Sequence, residues 1–210
     1  MNFYDYELEI ITGPMFSGKT SLLIKRYKEL KNNHNCLVIN YIHDNRFNEG
    51  LNKLRSHDGD EIECISLYSL RELTENSEYL NRLHEVEYIF INEAQFFVDL
   101  KDMVLFILKT LYKNVVLCGL DFDYKREKFG EIIDLYSEAT SIHQLTGGCF
   151  YCINPSIYSY RTSNSNKKVL IGGNNEYIPV CGQCYKRQEY IDNHQNKDKY
   201  KCKEIINKNI

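Results

Sequence analysis

The sequence predicts an α/β protein in which a mostly parallel, doubly wound sheet is followed by a small metal-binding lobe. Three observations predict it. Short apolar runs of strand length alternate with helical stretches over residues 7–145, the order that gives a parallel sheet with helices on both faces. The first run leads through Gly13, Pro14, Met15, Phe16, Ser17, Gly18, Lys19 and Thr20 into the first helical stretch, which is the GxxxxGK[ST] spacing of a phosphate-binding loop. Past Thr146 the alternation stops, and two CxxC pairs, Cys149/Cys152 and Cys181/Cys184, take over.

Residues Glu7 to Thr12 form the first strand, and Ser21 to Lys31 continue helically until Asn32, Asn33 and Asn35 stop them. The order matters more than the letters. A strand that enters a glycine turn and then a helix aims backbone N–H groups and the positive end of the helix dipole at one point, a cradle for phosphate. Lys19 reaches the terminal phosphates there as a point charge, and the Thr20 hydroxyl is placed to ligate Mg²⁺. The run Cys36 to Tyr41 is a strand buried on both faces. Residues Ile42 to Asp60 are polar and without helical period, and a loop of that length is usually functional or disordered. Arg46 within it is a candidate for stabilising charge in phosphoryl transfer, although a solvated arginine is the plainer reading.

Residues Glu61 to Leu67 read as a short strand, and Ser69 to His84 as one helix buried through Leu70, Leu73, Leu80 and Leu83, with Ser69 and Glu72 in capping-box spacing. Val86 to Ile91 is the third strong strand. It ends in Asn92-Glu93, on the rim where open α/β sheets bind ligands. Glu93 is therefore the candidate general base, and Asn92 stands where a magnesium-holding group is expected, without the charge of the commoner aspartate. Val98 to Tyr112 is a helix, Asn114 to Leu120 a strand, residues 121–130 an aromatic and charged loop, Glu131 to Glu138 a short helix and Ser141 to Leu145 the last strand.

The two CxxC pairs supply four thiolates on two tight turns, the donor set of a closed, structural Zn²⁺ site. A redox pair would explain one CxxC but not two. The chain thus divides into 1–145, a nucleotide-binding part, 146–193, a zinc lobe, and 194–210, a lysine- and asparagine-rich stretch that reads as a loose tail. The chain holds 210 residues, 43% hydrophobic and 26% charged, with a net charge of -3. That balance argues against a nucleic-acid coat. No run approaches the roughly twenty apolar residues of a membrane helix, and eight cysteines without a signal peptide suit the reducing cytoplasm.

Taken jointly, GPMFSGKT at 13–20, DNRF at 44–47, His57-Asp58, NEAQFF at 92–97, LDFDYKREKFG at 120–130, the cysteine quartet and IGG at 171–173 with Tyr177 closely resemble the type II thymidine kinases, from about residue 7 to 185. The resemblance implies a P-loop NTPase-like fold, Mg²⁺ with ATP as phosphate donor, thymidine as acceptor and a structural Zn²⁺. It implies ATP contacts from 13–20, Asp44, Asn45, Arg46, Asn92, Glu93, Ala94 and Gln95, magnesium held through Thr20 and Asn92, and Glu93 as the catalytic carboxylate. The thymine would be gripped by a lasso loop of the zinc lobe, Lys168, Val169, Leu170, Ile171 and Gly172, with Tyr177 on the sugar and Leu120, Tyr124 and Phe129 around the base. Members are commonly homotetramers inhibited by thymidine triphosphate. An ATP-dependent nucleic-acid-binding protein with a zinc ribbon is the competing reading, and a catalytically impaired thymidine-binding relative a third.

Overall fold

The computed structural model describes residues 6–42, 52–56, 58–163 and 176–206, with side chains as far as residue 194. Strand β1 (Leu8–Thr12) leads through the glycine loop into α1 (Lys19–Leu30), and α1 into β2 (Cys36–Tyr41). A small antiparallel pair, β3 (Lys53–Arg55) with β4 (Glu61–Glu63), precedes β5 (Ile65–Leu67). Then follow α2 (Glu72–Glu75), α3 (Ser77–Glu85), β6 (Tyr88–Ile91), α4 (Leu100–Lys109), β7 (Asn114–Cys118), a 3-10 segment (Ile132–Glu138) and β8 (Ser141–Gln144). The main sheet has six strands in the order β5-β2-β6-β7-β1-β8, and every neighbouring pair is parallel.

Why the strands read as unbroken apolar runs is plain from their two faces. Side chains alternate across a sheet, so Ile10, Ile39, Ile91 and Leu117 pack with Val104 and Ile107 of α4 on one side. Ile11, Val38, Phe90 and Val116 pack with Leu23 and Ile24 of α1 on the other. Both faces are covered, and Glu9 in β1 and Asn40 in β2 are polar residues buried within these apolar runs. The carboxyl ends of β1, β6 and β7 open on one rim.

The polar stretch 42–60 carries β3, and the single strand expected over 61–67 is two. Cys64 divides them: its N–H donates to Asn52 at 2.9 Å, so β4 stays with β3 while β5 joins β2 in the main sheet. The helix expected over 69–84 is likewise broken. Asn76 is extended, and its side chain accepts the N–H groups of Glu78 and Tyr79, which starts α3 afresh. Leu70, Leu73 and Leu83 are buried as their spacing predicts, whereas Leu80 is only partly so. Of the capping box one half forms, the Glu72 carboxylate accepting the Ser69 N–H at 2.9 Å.

After Thr146 the strands shorten: β9 (Gly147–Gly148) pairs with β10 (Pro155–Ser156), and β11 (Tyr158–Arg161) with β12 (Tyr177–Val180). Helix α5 runs Gly182–Ile206, so the stretch whose composition reads as a loose tail continues a helix as far as Ile206. Its first turns are fixed by Cys181 and Tyr185, which share a small core with Ile178, Val180 and Cys149. A helix propagates far more easily than it starts.

Candidate active site

The glycine loop is shaped by backbone. Gly13 has φ 139°, and a Cβ there would lie 2.4 Å from the Leu145 carbonyl; Gly18 caps α1 with φ 85°. Only glycine suits the first position, since β8 leaves no space beside it. Lys19 Nζ reaches back across the loop to the Pro14 carbonyl at 2.8 Å. The buried Ser17 hydroxyl has no hydrogen-bond partner among the described residues, an orphan that a bound phosphate oxygen would satisfy. Met15 differs from the expectation in its direction. Its N–H donates to Ser159 Oγ of β11 at 2.9 Å, so this donor ties the loop to the cysteine-bearing lobe.

On the same rim, the Thr20 hydroxyl lies 3.4 Å from Asn92 Oδ1. Asn92 is fully buried, donates through Nδ2 to Asn40 Oδ1 at 2.7 Å, and accepts from the Cys118 thiol at 3.0 Å. Two oxygen donors therefore meet at the carboxyl ends of β1 and β6, a neutral set that fits Mg²⁺ in kind but adds no charge. The next residue, Glu93, has φ 53° and ψ 41°, a left-handed backbone costing about 1–3 kcal/mol that clusters at functional sites. Its carboxylate accepts from Gln95 Nε2 at 2.6 Å, and Gln95 Oε1 accepts the Leu120 N–H at 2.9 Å. Ala94 and Gln95 are buried in the 3-10 turn that follows.

Residues 121–130 are held between this turn and α5. Gly130, at φ 64°, passes so close to Gln95 that a Cβ would lie 2.3 Å from its carbonyl oxygen. Phe129 meets Phe96 edge to face at 5.5 Å. Tyr185 of α5 donates its hydroxyl to the Tyr124 carbonyl at 2.7 Å, and Arg126 lies 4.4 Å over the Tyr185 ring. Burial pushes the Tyr185 phenol up, against the pull of Arg126, and so keeps it a neutral donor. Tyr136 donates to Asp121 Oδ2 at 3.1 Å, and burial followed by that carboxylate raises it to about 12. Leu120, Tyr124 and Phe129 are half-buried.

The sulfurs of Cys149, Cys152, Cys181 and Cys184 all lie within 4.8 Å of one another, with Cys152 to Cys181 at 3.7 Å and to Cys184 at 3.6 Å. Tetrahedral zinc at about 2.3 Å from each sulfur needs edges of about 3.8 Å, so the donor set fits. Cys184 lies in the first turn of α5.

A family model described as thymidine kinase matches residues 6–185. The chain belongs to the thymidine kinase family. Among its relatives, the thymidine kinase of Oryza sativa is 37% identical over 90% of this chain and 68% of its own length. That of fowlpox virus is 37% identical over 85% of this chain and 96% of its own. Thymidine kinase 1 of Dictyostelium discoideum is 36% identical over 85% and 77%. Among solved structures, AMPPCP-bound DnaA from Aquifex aeolicus matches at TM-score 0.41 and 16% identity over 68% of this chain and 41% of that one, too remote to bear on function.

By family the chain is an enzyme, a thymidine kinase, and the family implies ATP and thymidine as substrates. Among the described residues no helix is long and apolar enough to cross a membrane. Of the candidate residues of this thymidine kinase, Asp44, Asn45, Arg46, Lys168, Val169, Leu170, Ile171 and Gly172 lie outside the described residues. Tyr177 opens β12 and is 7% exposed. Sequence reasoning missed Asn40, Ser159 and Arg161, each of which touches a candidate residue. Asn40 had a signal, a polar residue inside an apolar strand; Ser159 and Arg161, in a short alternating strand, had none.

Proposed function

We propose that the chain transfers the γ-phosphate of ATP to the 5′-hydroxyl of thymidine at the rim formed by the glycine loop, Asn92-Glu93 and the loop after β7. The observation that carries this is the chain of contacts from Glu93 through Gln95 to Leu120, which ties the candidate base to the candidate nucleoside wall. ATP lies with its phosphates in the loop 13–20, near Ala94 and Gln95. The sugar hydroxyl oxygen attacks the γ-phosphorus, the bond to the bridging oxygen of ADP breaks, and the hydroxyl proton passes to the Glu93 carboxylate.

Lys19 balances the charge on the moving group, and Arg46 is the candidate to share that work. Thr20 and Asn92 would hold Mg²⁺, which when bound supplies positive charge to the phosphates. Leu120, Tyr124 and Phe129 flank the base, Tyr177 the sugar, and residues 168–172 close over it. Four thiolates on Zn²⁺ leave no open position, so zinc is structural and anchors both ends of that closing segment. Division at residue 145, a cytoplasmic setting, a homotetramer and inhibition by thymidine triphosphate belong to the same reading.

The test is a coupled ADP-release assay with Mg²⁺ comparing thymidine, deoxycytidine, deoxyadenosine and a single-stranded oligonucleotide. ADP formation dependent on thymidine is expected. Turnover stimulated by the oligonucleotide alone would replace the kinase by a nucleic-acid ATPase, and tight thymidine binding without turnover would mean an impaired relative.

A further inference from the structure

The wall assigned to the nucleoside is joined by a residue that belongs to no motif. Arg161 is the last residue of β11 and lies opposite Tyr177, the first of β12, in the antiparallel register. Arg161 and Tyr177 thus face each other at the paired ends of the two strands. Arg161 is 7% exposed. Its guanidinium carbon lies 3.6 Å from the centre of the Tyr124 ring, and it donates to the Tyr177 hydroxyl through Nη2 at 2.5 Å and Nε at 3.2 Å.

Withdrawing a guanidinium from water is costly, and its charge does not merely decorate a surface here. The planar fork does two things at once, laying its face on one ring and its edge on one oxygen. A lysine ammonium can do either but has no plane with which to do both. The phenol oxygen accepts from Arg161, so its own hydrogen is directed to a group other than the guanidinium. We propose that Arg161 is a positioning residue of the nucleoside site. It sets the Tyr124 ring and the Tyr177 hydroxyl relative to each other, so thymidine meets a wall already formed on two separate segments of chain. The inference rests on the assignment of Tyr124 and Tyr177 to the thymidine side made above.

The experiment measures steady-state kinetics and calorimetric thymidine binding for the zinc-loaded wild type, Arg161→Lys, Tyr177→Phe and the double variant. Loss of about one charge-assisted hydrogen bond should raise the thymidine KM and Kd of Arg161→Lys roughly tenfold. The ATP KM should stay within about twofold, since the phosphate loop is untouched. The losses in the double variant should be less than additive, because both changes remove the Arg161–Tyr177 contact. Unchanged thymidine affinity in Arg161→Lys, or fully additive losses, would overturn the proposal. So would a parallel rise in both KM values with a lowered melting temperature, the signature of a residue that only holds the lobe together. A wild type that phosphorylates no thymidine removes the substrate assignment, and the inference with it; one that does, with Arg161 variants unaffected, removes the inference alone.

Discussion

A neutral amide occupies the buried end of β6, and its partners show how it is tolerated. Asn92 is locked by Asn40 on one side and by Thr20 and Cys118 on the other, so no charge is buried unpaired. An aspartate would bring charge to a metal on the phosphates, and Asn40 could turn its amide to donate to it. Asn92→Asp should therefore lower the Mg²⁺ concentration for half-maximal turnover, read from a Mg²⁺ titration at saturating ATP. Glu93 sits in a different balance, with its backbone held left-handed and its carboxylate fixed by Gln95. Glu93→Gln keeps the shape and removes the proton acceptor. Turnover should fall by about 10²–10⁴ with ATP and thymidine binding preserved, and near-normal turnover would eliminate Glu93 as the base.

Between elements, the tight approach of Gly130 to Gln95 links the loop after β7 to the turn that carries Glu93. Gly130→Ala places a methyl where a carbonyl oxygen already is and strains a positive φ. It should cost roughly 1–3 kcal/mol of stability and reduce turnover without touching substrate, as thermal melting and kcat together would record. Among the described residues the core of the cysteine-bearing lobe is a cluster of five buried residues, two of them the proposed ligands Cys149 and Cys181, so a zinc ion bound there would be part of its folding free energy. In Cys149→Ser, hydrogen exchange should quicken through β9, β11 and β12 while β1, β6 and β7 stay protected. How much of this was legible follows from range. The strands β1, β2, β6 and β7 and the phosphate loop could be read because burial on both faces writes itself as a local run of apolar residues. The four cysteines could be read because ligand spacing is local too. Asn76 as a second helix start was readable only in retrospect, since leucine spacing on both sides stays in phase. Arg161 was not, because what it touches lies at positions 124 and 177 and adjoins it only after folding. Asn40 needed its partner in β6 to give its polarity a meaning.

For the molecule as a whole, the buried phenols predict its alkaline limit. Tyr136 is raised to about 12 by burial and by Asp121, above an unfolded value of about 10. Its folded-state proton is held more tightly, so its contribution to stability is complete below about pH 10 and is lost as pH rises toward about 12. Tyr136→Phe should flatten the fall in melting temperature over that window, and an unaltered slope would assign the alkaline transition to other groups. The hydrogen bond from Met15 to Ser159 has a consequence of another kind. One partner belongs to the loop proposed for the donor's phosphates and the other to the strand that ends at the proposed acceptor wall, so the two proposed sites share one contact. Energy conserved around that cycle imposes a symmetry: by whatever factor ATP alters the grip on thymidine, thymidine must alter the grip on ATP.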